Sequence, residues 1–283
     1  MHRTPLIAAN WKMNGSAALV EETMFALAAV PTTAVDILVC PPATLLSRFG
    51  QHTHFALGAQ TLSHEISGAF TGELSAALLI EAGARYAIVG HSERRMLNAE
   101  TDELVAAKLA AAVASGLTPL LCVGETQAER QQEKTQQVIA RQLDAVYASQ
   151  PELLVQSVIA YEPVWAIGTG DSASPEQAQQ THAFIRQQLA KYDASAAELV
   201  KILYGGSVNA ANCAALFQQA DIDGALVGGA DPALGRVLVI GVQHRVGVAA
   251  EAAPLAERRR VERRDADMAP LLPFAGELAR LVD

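Results

Sequence analysis

Brief apolar runs recur at intervals along the first 230 residues, and most are apolar through their length rather than at every second position. They are Leu6–Ala9, Ile37–Cys40, Phe55–Ala59, Tyr86–Val89, Pro119–Val123, Val158–Tyr161, Lys201–Tyr204 and Ala225–Val227. A strand that is apolar on both faces is a strand covered on both faces, as in a parallel sheet flanked by helices. Patterns of a different period lie between the runs. Thr101–Ser115 carries Leu104, Val105, Lys108, Leu109, Ala112 and Val113 at three-to-four spacing, with Gly116 where a C-terminal cap is wanted. Ser174-Pro175-Glu176-Gln177 supplies an N-cap, a proline in the first turn and a capping-box glutamine ahead of Ala178–Leu189. Asn209–Gln219 predicts a shorter helix. Strands alternating with helices imply parallel strands joined by right-handed crossovers. Eight such units can close into a barrel. The pattern alone also fits an open, doubly wound sheet.

The last 53 residues break this rhythm. Residues 231–283 hold 8 of the 16 arginines and no lysine, and their eight acids cancel the eight arginines. Arg258, Arg259, Arg260, Arg263 and Arg264 are interleaved with Glu257, Glu262, Asp265 and Asp267. This reads as a solvated appendage rather than a polyanion-binding tail. The expected organisation is a barrel domain over 1–230, a last helix over 231–248 and an atypical tail over 249–283.

Composition narrows the classes of function. Hydrophobic residues make up 51% of the 283, enough for a large core. There are 21 basic against 30 acidic residues, a formal charge of −9, which argues against nucleic acid or an anionic membrane as a partner. A small anionic substrate is still compatible with a locally positive site. Cys40, Cys122 and Cys213 are isolated and odd in number, as expected of buried thiols in a reducing compartment. The sequence predicts no membrane span and no leader, hence a cytoplasmic protein.

In a parallel α/β barrel, chemistry sits at the carboxyl ends of the strands. Those ends hold Lys12, His91 and Glu162, and the glycine pairs Gly205-Gly206 and Gly228-Gly229. A fixed ammonium holds an anion and polarises a carbonyl oxygen. An imidazole donates or accepts a proton, and a carboxylate ending a buried strand is costly unless paired or used. Glu162 is thus a candidate general base. Pro163 and the glycines of Val164–Gly170 bracket an apolar segment that suits a hinged lid. Glycine pairs after strands seven and eight suit a phosphate ester. The other six histidines read as structural, and none has metal-ligand spacing. Neither a metal nor a cofactor is called for.

The motifs Asn10-Trp11-Lys12-Met13-Asn14-Gly15, Gly58-Ala59-Gln60, Gly68–Glu73, Gly90-His91-Ser92-Glu93-Arg94-Arg95, Cys122-Val123-Gly124-Glu125, Ala160–Gly170, Tyr204–Val208 and Leu226–Ala230 occur in order. Over residues 5–230 the chain resembles the triosephosphate isomerases. The resemblance implies a (β/α)8 TIM barrel, here with an atypical C-terminal extension. It implies interconversion of dihydroxyacetone phosphate and glyceraldehyde 3-phosphate through an enediol(ate), in glycolysis and gluconeogenesis, without a cofactor. It gives Glu162 the role of base and His91 that of neutral electrophile. Lys12 and Asn10 become electrostatic and positioning groups, and Glu93 the acid beside the site. Gly168, Ser207, Gly228 and Gly229 fall at phosphate-binding positions. Segment 61–75, with Thr71 near its tip, matches a loop that enters a partner subunit, so a homodimer is expected.

The chain departs from that pattern at Thr61, at Asp171 and from Asp231 onward. A changed reading frame and a fused extension both account for the last. The alternative reading is an isomerase-like protein impaired by its divergent C-terminus. A Schiff-base aldolase on the same barrel fits poorly, because strand six ends in Glu162 and Lys201 opens its strand.

Overall fold

The computed structural model describes residues 3–28, 35–50, 54–166, 173–209 and 211–228. The expected helix over 231–248, the tail over 249–283, the expected phosphate positions Gly168 and Gly229 and most of the expected lid lie outside these residues.

Eight strands form a closed barrel in sequence order: β1 Leu6–Asn10, β2 Asp36–Cys40, β3 Ala56–Ala59, β4 Tyr86–Val89, β5 Thr118–Val123, β6 Val158–Tyr161, β7 Ile202–Tyr204 and β8 Gly224–Gly228. Every neighbouring pair is parallel, and β1 closes on β8 with Leu6 opposite Gly224 and Asn10 opposite Gly228. That closure excludes the open sheet. The helices among the described residues are α1 Ala17–Ala28, α2 Ala43–Leu46, α3 Ala76–Glu81, α4 Ser92–Leu97, α5 Asp102–Ala114, α6 Gln127–Gln131, α7 Thr135–Tyr147, α8 Pro175–Tyr192, α9 Ala194–Leu199 and α10 Cys213–Phe217.

Strand side chains alternate between two apolar layers. Leu6, Ala8, Leu38, Cys40, Ile88, Leu120, Cys122, Val158, Ala160, Leu203 and Leu226 pack together as one buried cluster. Their neighbours Ile7, Val39, Val89, Leu121, Ile159, Ile202 and Ala225 belong to the second cluster, shared with the helices. The period of two puts Asn10, Glu162 and Gly228 in line with the first cluster, each at the carboxyl end of its strand or one residue past it.

The expected helix starts are present. Thr101 caps α5, and its hydroxyl accepts from the Leu104 amide at 3.3 Å. Ser174 and Gln177 exchange bonds at 3.2 and 3.1 Å to form the capping box of α8, with Pro175 in its first turn. The helix expected over Asn209–Gln219 is shorter. Asn209 Oδ1 accepts from the amides of Ala211 and Asn212, and Asn212 Oδ1 accepts from that of Asn209. These local side-chain bonds compete with helical ones and hold the first turn out of α10. All three cysteines are buried and free. Among the described residues no helix is long and apolar enough to cross a membrane.

Candidate active site

The mouth of the barrel gathers side chains from several strand ends into one chain of contacts. Lys12 follows β1 with a φ of 53°, in the left-handed region. Its amide donates to Asn10 Oδ1 at 2.9 Å. Its carbonyl accepts from Gln60 Nε2 at 2.8 Å, and the same Nε2 donates to the Cys40 carbonyl at 2.9 Å. The unusual turn is therefore tied down on both sides. It lets the lysine stem pass over β8, where a Cβ on Gly228 would stand 3.0 Å from Lys12 Cε. A side chain at 228 would compete for the space the stem occupies. The ammonium ends 2.5 Å from Glu93 Oε1.

His91 is 5% exposed and forms the N-cap of α4. The Glu93 amide donates to its Nδ1 at 3.2 Å. A nitrogen that accepts from an amide carries no proton, so the ring's proton sits on Nε2. Nε2 lies 3.0 Å from Glu162 Oε1 and donates to it. Protonating Nδ1 as well would set two N–H groups against each other. The helix start thus makes Nδ1 the acceptor and aims Nε2 at the Glu162 carboxylate.

Glu162 is 2% exposed. Its second oxygen accepts from the Ser92 amide at 2.9 Å. Its own amide donates to the carbonyl of Val123, the last residue of β5, at 2.8 Å, one residue past the end of β6. Two glycines flank it closely. A Cβ on Gly124 would fall 1.8 Å from the Glu162 carbonyl oxygen, and one on Gly205 would fall 3.0 Å from Glu162 Cγ. Burial, then the Glu162 carboxylate, pushes the Cys122 thiol well above its usual range, so it remains protonated beside that carboxylate.

The expected residues Asn10, Lys12, Glu93, His91, Glu162 and Gly228 thus form one connected group. Ser207 is half-buried after β7, with its carbonyl accepting from Asn212 Nδ2 at 3.0 Å. Among the described residues no cluster of His, Cys, Asp and Glu could hold a metal.

Residue-by-residue reading of strand ends passed over Glu125. It is wholly buried and accepts from Tyr161 OH at 3.1 Å, Trp165 Nε1 at 3.0 Å and Arg130 Nη1 at 3.1 Å. Arg130 also stacks 4.3 Å over the Trp165 ring. Glu125 therefore anchors the first residues of the segment after Pro163. The available signal was a carboxylate two residues beyond an apolar strand, one residue further out than Glu162 stands from its own. Thr61 is held within the chain, with its hydroxyl accepting from Lys108 Nζ at 3.1 Å. Lys108 and Arg94 both bind Glu100. Burial opposes ionisation of Glu100, but these two hydrogen bonds outweigh it and hold the carboxyl below its usual range.

The family model for triosephosphate isomerase matches residues 5–240. The triosephosphate isomerase of Salmonella newport is 53% identical over 234 residues, covering 81% of this chain and 92% of its own length. Those of Alkalilimnicola ehrlichii and Escherichia coli O1:K1 are each 54% identical, over 235 and 236 residues, covering 81% of this chain and 93% and 92% of their own. An eight-stranded barrel with this mouth, matched by a family model over most of its length and by relatives above half identity, is an isomerase: the chain belongs to the triosephosphate isomerase family.

Proposed function

We propose that the site interconverts dihydroxyacetone phosphate and glyceraldehyde 3-phosphate through an enediolate, and needs no cofactor. The observation that carries this reading is the imidazole of His91, whose Nδ1 accepts from the Glu93 amide and whose Nε2 lies 3.0 Å from the buried carboxylate of Glu162. Removing a proton from the carbon beside a carbonyl requires a base on one side and donors where oxygen becomes negative. Glu162 is the base. It leaves the Ser92 amide, takes the proton from one carbon and returns it to the next. His91 donates from Nε2 to whichever oxygen carries charge. A neutral imidazole is closer in acidity to an enediol than imidazolium is, so it can shuttle a proton between the two oxygens. Lys12 adds a fixed positive charge, Asn10 holds the turn that aims it, and Glu93 supports both the ammonium and the Nδ1 side of His91.

The resemblance puts the phosphate at Gly168, Ser207, Gly228 and Gly229, of which Gly228 lies directly under the Lys12 stem. The lid expected over Val164–Gly170 serves the same reaction, because an enediolate exposed to water would eliminate phosphate. All of these residues lie inside the family match, which favours an active isomerase over one impaired by its C-terminus. The reaction places the protein in glycolysis and gluconeogenesis, in the cytoplasm. Replacing Glu162→Asp withdraws the carboxylate by one methylene. Turnover should fall at least tenfold, about 1.4 kcal/mol, while inhibition by inorganic phosphate is retained. Turnover equal to the parent's removes Glu162 as the base.

We further propose a homodimer built through the 61–75 loop. The loop is cross-braced by the Ser63 amide donating to the Leu74 carbonyl at 2.8 Å, and it exposes Ile66 and Phe70. Met13, on the loop after β1, and Leu97, the last residue of α4, are also strongly exposed. Apolar groups of this size on one end of a barrel call for cover. Light scattering should give twice the chain mass, and a monomer at micromolar concentration would overturn the assignment.

A further inference from the structure

Gln142 is on α7 and 4% exposed, supplied by a helix rather than by a strand end. Its side-chain amide makes both bonds that a neighbouring strand would make to Gly124. The Gly124 amide donates to Gln142 Oε1 at 2.8 Å, and Gln142 Nε2 donates to the Gly124 carbonyl at 3.2 Å. Gly124 is where β5 has ended and no residue pairing continues past Val123 opposite Tyr161. The half-buried peptide would otherwise depend on solvent for its donor and acceptor and lose its fixed orientation.

That peptide is the surface on which Glu162 rests. Gly124 approaches so closely that a Cβ there would overlap the Glu162 carbonyl oxygen at 1.8 Å. The residues on either side of it bond the segment directly. Val123 accepts from the Glu162 amide, and the Glu125 carbonyl accepts from the Val164 amide at 3.2 Å. Gln142 and Glu162 also line one cavity of about 430 Å³, together with Ser92, Cys122 and Gly124. The Gly124 peptide is thus packed against Glu162 on one side, and the side-chain amide of Gln142 fixes its orientation.

We propose that Gln142 is a positioning residue for the isomerisation, acting through Gly124 to set the seat of the Glu162 carboxylate. The proposal rests on Glu162 being the base. Displacement of a catalytic group by about 1 Å costs on the order of 100-fold in rate, whereas on the proposed reading the phosphate is held by other residues, Ser207 and Gly228 among them. Gln142→Met keeps length and bulk but removes both bonds. Gln142→Glu keeps an acceptor for the Gly124 amide and, when ionised, sets a carboxylate against the Gly124 carbonyl.

The test is steady-state kinetics on full-length protein, with thermal melting to select folded variants and inorganic phosphate as a competitive probe. Expected is a fall in kcat of at least tenfold in either variant, with KM and the phosphate inhibition constant within twofold of the parent. A role confined to stability would lower the melting temperature and leave kcat of the folded enzyme unchanged, and that result in whichever variant folds overturns the proposal. Glu162→Gln, run alongside, separates the two readings. If it retains parental turnover, the assignment of the base has failed; if it is inactive while the Gln142 variants are not slowed, only the positioning role has.

Discussion

A lysine with φ of 53° gives up on the order of 1–3 kcal/mol of backbone freedom from strain. Such a conformation persists only where the surroundings over-determine it. Here the Asn10 side chain, the Gln60 amide and the Glu93 carboxylate each hold one part of Lys12. Replacing Lys12→Met keeps the stem over Gly228 and removes the charge. The loss should resemble that of an oxyanion donor, about 100-fold or more in kcat/KM, with the fold intact by circular dichroism. A loss under tenfold would mean that the ammonium contributes little beyond packing. The types Lys12 and Glu162 were legible in the sequence because a charged residue at the end of an apolar run stands out. The proton position on His91 was not legible from its residue type or spacing. It depends on the Glu93 amide pointing at Nδ1, which exists only once α4 starts at Ser92. Gln142 was invisible for a related reason, since a polar residue on an amphipathic helix carries no sign that it will be turned inward onto a peptide of another element.

The elements themselves were easier to read, and their errors have causes. Seven of the eight runs shifted by a residue at an end or not at all, because burial on both faces marks a strand independently of its partner. Lys201 is left outside β7, and its ammonium is 2.6 Å from Asp36 Oδ2. The first turn of α10 was lost to asparagine side chains that outcompete the helix locally. What the pattern could not show is how one end of the barrel is tied together. Arg186, on α8, binds Asp221 at 2.6 Å and Asp223 at 2.7 Å, and donates to the carbonyls of Ala197 and Val200. Asp223 in turn takes Arg3 at 2.7 Å and the Ile202 amide at 2.9 Å. This joins α8, α9, β7 and the approach to β8. Arg186→Met should therefore cost about 3–5 kcal/mol, because it leaves buried carboxylate and carbonyl groups without their partner rather than merely deleting an attraction. Urea unfolding measures this, and a loss below about 1 kcal/mol would show that Arg3 and the Ile202 amide suffice.

At the scale of the whole molecule, two apolar layers explain why eight short runs make a closed structure, but the runs alone did not choose closure. The pairing of β1 with β8 does. Inside the outer layer sits His182, wholly buried between the rings of Tyr161 and Tyr204 at centroid distances of 5.8 and 6.2 Å. Its Nδ1 meets the Asp221 carbonyl at 3.1 Å, and a neutral ring donates there. Burial is the largest cause that lowers its pKa, from 6.5 to about 4; Asp221 and Asp223 oppose the shift, and Arg186 adds to it. Between these two values the unfolded chain binds a proton that the folded chain refuses. Stability is therefore complete above about pH 6.5, falls as pH drops through that value, and stops falling on this account below about pH 4. From pH 7 to pH 5 the loss is about 2 kcal/mol. His182→Phe keeps a ring between the two tyrosines and cannot take up the proton. Urea unfolding at the two pH values should show the parent losing about 2 kcal/mol more than the variant. Equal losses in both would mean that the imidazole is hydrated or already charged in the folded barrel, and that the acid sensitivity originates in the carboxylates instead.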